Sequence, residues 1–339
     1  MTDSSDKQVS WSSLRSTAMI WLTASMVTFS LLMLAGLAGI LLWSGGNWLF
    51  DSHVGAAHSG GYLDQLQANL TLLLYGSPNV TGSAAMLPAI VGTVLMIFLM
   101  TIVVAPLGVV VAIYLREYAR ESWYTELLRI SIQNLAGVPS IIYGVFGLGF
   151  FVYVLGGQMD SWLFAEDLPK PTFGTPGLLW ASLTLAMLTL PVVIVSAEEG
   201  FARLPDSLRE GSLALGATRA ETIIHVLLPA ASPSILTGVI LAIARAAGEV
   251  APLMLVGVVK YAPTLPVNLQ APFIHLEQKF MHLGFLVYDL TLHAHPGEGR
   301  LGLVAATSLL LVMVVLGLNL LANSLRQRLR GRYQQSASL

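Results

Sequence analysis

The chain has 339 residues, 55% hydrophobic and only 11% charged, with a formal net charge of -2. Soluble domains carry about a quarter charged residues, so this composition describes an integral membrane protein and excludes an ordinary soluble enzyme. Cysteine is absent, which excludes disulfides, thiolate catalysis and cysteine-ligated metals.

The N-terminal stretch mixes charges (Asp3, Asp6, Lys7, Arg15), and the apolar run after it is too long for a cleaved signal. Residues 1–16 therefore read as a tail, and residues 17–43 as a first span. Further apolar runs at 88–115, about 130–155, 177–196, 233–259 and 301–322 are each long enough to cross the hydrocarbon core, which takes roughly 20 helical residues. No stretch alternates with period two, so helices rather than a barrel satisfy the backbone in lipid. The expected fold is all-α, a polytopic membrane protein with six transmembrane helices.

Residues 44–87 form a long connection without Lys or Arg, with helix expected within "GYLDQLQANLTLLLYG". Asn69 and Asn79 head glycosylation-type tripeptides, a pattern common by chance. Twelve Lys and Arg lie in segments on the side of the N-terminus, four on the other side, and Arg245 lies inside a span. The positive-inside rule then places both termini in the cytoplasm and 44–87 outside. In the third span, Ser140 and Tyr143 follow Pro139, which bends or starts the helix. They are candidate donors to a passing anion, or simply polar groups at a helix contact that Gly137 and Gly144 allow.

The connection "EEGFARLPDSLREGSLALGATRAETIIHVLLPAASPS" between the fourth and fifth spans (loop 198–232) carries explicit punctuation. Pro205-Asp206 starts a helix. Gly216 suits a left-handed C′ position. Thr218 and Glu221 form a capping-box pattern that opens a second helix, and Pro229 and Pro233 are expected to end it. The product is either a plain helical connection or a docking knob. Glu198-Glu199 before it reads as a solvated boundary.

In the fifth span, Arg245 lies twelve residues after Pro233, about 18 Å along a helix. An arginine at that depth is unfavourable by roughly 2.5–3.5 kcal/mol. Glu249 is one turn further on the same face. The pair is either self-neutralising and fixes packing, although desolvation weakens that reading, or it lines a transport path. In the second case the guanidinium fork matches the oxygens of an anion, and Glu249 keeps binding weak enough for release. Further on, Asp289, His293 and His295 are a weak metal pattern and more plausibly loop surface. The tail 323–339, with "RQRLRGRYQQ", reads as an inside anchor attracted to anionic lipid.

Glu210-Gly211-Ser212, three residues, Gly216, nine residues, then Val226-Leu227-Leu228-Pro229 resembles the signature loop of bacterial ABC-importer permeases. "NLAGVPSIIYGVFGLGFFV" (Asn134–Val152) and "LPAASPSILTGVILAIARAAGEVAPLMLVG" (Leu228–Gly257) resemble the third and fifth spans of phosphate-importer permeases, the PstA type more than the PstC type. The likeness covers about 88–330. It implies a type I ABC-importer permease core over 88–322, working as a heterodimer with a PstC-type subunit, two ATPase subunits and an exported phosphate-binding protein. It implies that Glu210, Gly211, Ser212, Gly216, Leu228 and Pro229 dock on the ATPase, and it favours a phosphate path at Arg245 and Glu249, with Ser140 and Tyr143 as secondary candidates on that path. ATP and Mg would belong to the partner: a Walker A loop needs Gly before Lys, and none of the four lysines follows a glycine. The chain is thus expected to be a transporter subunit of the bacterial inner membrane and not itself an enzyme. The alternatives are a permease for molybdate or sulfate, and an ATP-independent channel or signalling membrane protein.

Overall fold

Six helices among the described residues of the computed structural model are long and apolar enough to cross a membrane. The structure describes residues 3–49, 67, 70, 71, 86–167, 169–262, 264–268, 273–293 and 300–336. Most of the 44–87 connection, the asparagines of both sequons and His295 lie outside the described residues. Residues 67, 70 and 71, within the stretch expected to hold helix, are helical.

The chain divides into two units, residues 1–69 with 296–309, and residues 70–295 with 310–339. In the first, α1 (Asp3–Leu49) runs through the expected first span and past residue 43 to Leu49. Met26, Phe29 and Leu34 stand exposed on it. A helix apolar on every side needs a lipid or protein surround. Near its end Gly45 abuts the backbone of Ala305 and Ala306, and Trp48 packs on Gly302.

The second unit contains α2 (Met86–Tyr118), α3 (Trp123–Leu135), α4 (Ser140–Leu163), α5 (Leu178–Ala202), α6 (Asp206–Ala214), α7 (Arg219–Gly248), α8 (Leu253–Val256), α9 (Leu283–His293) and the later part of α10 (Arg300–Ser336). The most buried span is α5, which packs against α2 and α7. Met96, Met100 and Val104 of α2, Leu185, Leu188 and Val193 of α5, and Val239 and Ala242 of α7 share one core. Lipid chains are as apolar as leucine, so close packing rather than water exclusion must hold such helices together. The α5–α7 seam shows how: Gly200 faces Ser234, and Gly238 faces Ser196. Two pairs of small residues one turn apart bring the backbones together.

Two spans depart from the apolar runs in the sequence. The expected third span at 130–155 is interrupted between Leu135, the end of α3, and Ser140, the start of α4. Pro139 offers no N–H and disfavours helix in the residue before it, and it is the N-cap of α4. The span then runs to Leu163. The expected fifth span reaches only Gly248, because Glu249 is extended (φ -78, ψ 131) and Pro252 cannot continue the helix. At its other end, Pro229 and Pro233 do not terminate a helix. α7 passes through both by way of a π-helical turn at Ile223–Leu227, which changes the hydrogen-bond register just before Pro229, where a donor is missing. Ser232 Oγ donates to the Pro229 carbonyl at 2.7 Å.

Buried polar groups fix the end of the bundle near Gly177. Asp160 is 2% exposed, and its carboxylate accepts the Phe173 and Gly174 N–H groups at 2.7 and 2.6 Å. The Leu283 N–H donates to Thr93 Oγ1 at 2.9 Å, which holds the segment after Phe280 against α2.

Candidate functional site

Arg245 sits in the last turn of α7, and Glu249 is the residue that ends the helix. The two meet as expected, but from a helix and its extended cap rather than along one continuous helix face. Arg245 Nε donates to Glu249 Oε1 at 3.4 Å, with the side chains 33% and 19% exposed. The turn after Glu249 lies against α4: a Cβ on Gly144 would fall 2.6 Å from Pro252 Cα. Tyr143, 5% exposed, is close enough to Arg245 for electrostatic interaction. Its hydroxyl, however, donates to the Leu135 carbonyl at 2.8 Å, bridging the break between α3 and α4. Tyr143 is thus a brace of the broken span. Ser140 is the first residue of α4, half-buried, and no hydrogen bond to its hydroxyl is found among the described residues.

Opposing magnitudes bear on Arg245. Lying at a helix C-terminus favours a cation by about 0.3–1 kcal/mol. Insertion of arginine into the hydrocarbon opposes it by roughly 2.5–3.5 kcal/mol. A 3.4 Å contact lies well beyond the 2.7–2.9 Å of a strong charge-assisted bond, so Glu249 holds the guanidinium only loosely. A one-third exposed guanidinium on a loose tether still has donors to offer an anion.

The second constellation is the elbow between α5 and α7. Pro205 caps α6. Gly216 adopts φ +89. Its N–H donates to the Leu213 carbonyl at 2.9 Å and that of Ala217 to the Ser212 carbonyl at 3.3 Å, the two bonds of a Schellman turn. Thr218 and Glu221 complete the capping box in both directions. The apex projects: Leu215 is 91% exposed, and Glu210 and Gly211 are exposed beside it. Leu228 and Pro229 are half-buried where α7 joins the bundle. Ile223 and Leu227 are buried with Ala112, Ala197 and Phe201, which anchors the base of the elbow on α2 and α5. Ile224, in contrast, stands 57% exposed.

Several polar partners were not foreseen. Glu198 is not a free boundary charge: it receives Arg129 Nε at 2.6 Å, and the same guanidinium donates to the Leu115 carbonyl at 3.2 Å. Glu199 remains exposed and pairs with Arg203 at 3.1 Å. Arg209 Nη2 lies 2.8 Å from Glu117 Oε1. The only signal in the sequence was an acid directly at the end of the second span. Asp289, 8% exposed, receives Lys260 at 2.9 Å and His293 Nδ1 at 3.3 Å. Among the described residues no group of three His, Cys, Asp or Glu is placed to hold a metal ion.

A helical core around one central span, with a glycine-turned elbow after its fourth span, defines an importer-type membrane permease. The chain superposes on a chain of a bacterial ABC transporter involved in the import of the acidic polysaccharide alginate, with a TM-score of 0.58 at 15% identity, covering 94% of this chain and 98% of that one. A chain of the MetNI methionine ABC transporter gives 0.50 at 17% identity over 72% of this chain and 94% of that one. The fold is that of type I ABC-importer permeases.

Residues 105–334 match the family described as binding-protein-dependent transport system inner membrane component, and the chain belongs to that family. Among curated relatives, "Probable ABC transporter permease protein YqgH" of Bacillus subtilis (strain 168) is 36% identical over 58% of this chain and 60% of that protein. "Phosphate transport system permease protein PstA 1" of Mycobacterium tuberculosis (strain ATCC 25618 / H37Rv) is 32% identical over 70% of this chain and 68% of that protein. The PstA protein of Yersinia pestis is 38% identical over 52% and 54%. The matched stretches span from about half to about two thirds of these relatives' lengths.

Proposed function

We propose that this chain is the membrane permease subunit of an ATP-driven importer of inorganic phosphate. The observation that carries the reading is Arg245: a guanidinium beside a break in two helices, loosely tethered to Glu249 and one-third exposed. Phosphate near neutral pH is a mono- to dianion with tetrahedral oxygens, which a guanidinium meets as a fork of donors. Glu249 competes for the same donors and so keeps the anion from being trapped, which a path that must release its cargo needs. Ser140 is the secondary donor, and Tyr143 fixes the break that exposes it. Relatives named as phosphate permeases support the choice of anion.

The excess of Lys and Arg on one side supports a bacterial inner-membrane topology with both termini, and loop 198–232 with them, in the cytoplasm. There the exposed apex from Glu210 to Gly216 docks on an ATPase subunit, which brings ATP and Mg. Leu228 and Pro229, within α7, pass the movement along that helix into the bundle. A PstC-type subunit completes the path as a heterodimer, two ATPase subunits drive it, and an exported phosphate-binding protein delivers the anion. The test is uptake of labelled phosphate into vesicles carrying the reconstituted complex. Uptake that requires ATP and saturates with phosphate but not with molybdate or sulfate supports the reading. ATP-independent uptake, or transport of the other oxyanions in its place, refutes it.

A further inference from the structure

The docking helix α6 has no fully buried residue. A helix gripped by a partner pulls on its own subunit through its chain ends and through side chains anchored there, and for α6 the anchored side chains are polar. Ser212 Oγ lies 3.0 Å from Thr222 Oγ1 at the start of α7. Arg209 does far more. It is 17% exposed, and all three of its guanidinium nitrogens are engaged. Nε contacts both Glu117 oxygens at 3.2 Å, and Nη2 reaches Glu117 Oε1 at 2.8 Å and the Phe201 carbonyl at 3.1 Å. Nη1 donates to Asp206 at 3.0 Å and to the Leu204 carbonyl at 3.3 Å. Glu117 belongs to the π-helical last turn of α2, and Phe201 to the end of α5. One side chain therefore ties the docking helix to two spans. Arg129 grips the same α2 turn from α3 through the Leu115 carbonyl and holds Glu198 of α5.

We propose that Arg209 is the strut that carries displacement of the docking helix into α2 and α5, so that ATP hydrolysis in the partner and movement of these spans stay linked. It is a positioning residue, touching neither nucleotide nor cargo, and the inference rests on the proposed function. The planar fork matters as well as the charge, because a lysine is a point charge that cannot hold Glu117, Phe201 and Leu204 together. Glu117, 12% exposed, would be left a poorly solvated carboxylate if Arg209 were removed.

The experiment uses the complete transporter in vesicles with loaded binding protein and reads ATP hydrolysed, phosphate accumulated and ATPase retained. For Arg209→Gln the ATPase stays bound and active while the ATP used per phosphate rises roughly fivefold or more, the lower end of site-to-site couplings. The exchange Arg209→Glu with Glu117→Arg restores part of the ratio. A wild-type ratio in Arg209→Gln overturns the proposal. So does parallel loss of hydrolysis and uptake with release of the ATPase, which would make Arg209 docking surface only. If Arg209→Gln fails to assemble, Arg209→Lys decides, and an unchanged ratio there overturns the strut. Absence of ATP-driven uptake in the unmodified complex would instead refute the proposed function.

Discussion

Arg245 Nε stands 3.4 Å from Glu249 Oε1, while Arg129 and Arg209 hold Glu198 and Glu117 at 2.6 and 2.8 Å. The same two chemical groups are thus used in two ways. At the end of the bundle that bears the elbow, tight forks lock helix ends together. At the end of α7, a loose pair at a helix terminus leaves donors open. A guanidinium already saturated by its carboxylate could not exchange partners with a passing anion; one held at 3.4 Å can.

Replacing Glu249 with Gln removes the competitor and leaves the cation. The anion should then bind more tightly and leave more slowly. KM for phosphate is expected to fall together with kcat, the pattern of a mutation that stabilises the bound ground state. A rise in KM with kcat unchanged would assign Glu249 to anion binding rather than release.

Tyr143→Phe deletes the hydroxyl that bridges the α3–α4 break. The loss is about 1 kcal/mol for one hydrogen bond, read as a small drop in Tm of the solubilised protein. Uptake should remain within roughly fivefold of the unmodified chain, since even the whole of about 1 kcal/mol placed in a barrier is less than the 1.36 kcal/mol of a tenfold change. Abolished uptake with an unchanged Tm would make Tyr143 a cargo contact.

At Gly216 the constraint is conformational. A Cβ there would meet nothing within 4 Å, yet φ is +89. Gly216→Ala therefore adds about 1–2 kcal/mol of backbone strain without a clash. Retention of the ATPase should weaken about tenfold, as 1.4 kcal/mol implies. Gly216→Asn should weaken it less, because asparagine tolerates the left-handed region. Equal effects of the two would argue against the turn as the determinant.

His282 gives the connection between α7 and α10 a pH dependence. It is fully buried, its Nε2 has no hydrogen-bond partner among the described residues, and burial pushes its pKa down to about 4. Unfolded, it titrates near 6.5, so between these values the unfolded chain binds the extra proton. Stability is complete above pH 6.5 and falls as pH drops towards 4, by about 3 kcal/mol for a shift of this size. Thermal melts at pH 7.5 and 5 should differ for the unmodified protein and differ less for His282→Leu. An equal pH effect in both would assign the loss to other groups.

Local chemistry was legible in the sequence and non-local pairing was not. Gly216, Thr218 and Glu221 lie within six residues, and their turn and cap follow from backbone geometry alone. The spans were visible because apolar runs of that length have few other uses. Their interruptions were harder to place: Pro139 and Pro252 break helices, whereas Pro229 and Pro233 are absorbed by a π-helical turn and a serine. Nothing local distinguishes these cases. Glu198 looked solvated because Arg129 lies 69 positions away, and Arg209 and Glu117 are 92 apart. The Arg245–Glu249 contact could be read from spacing, but its looseness comes from the helix ending at Gly248.

Phosphate uptake by the reconstituted complex carrying Arg245→Gln tests the role of the membrane-embedded guanidinium most directly. With the ATPase still bound and the fold intact, uptake should fall roughly 10- to 100-fold, the loss of one charge-assisted contact of about 1.5–3 kcal/mol. Uptake at the unmodified rate would mean that phosphate passes without touching Arg245.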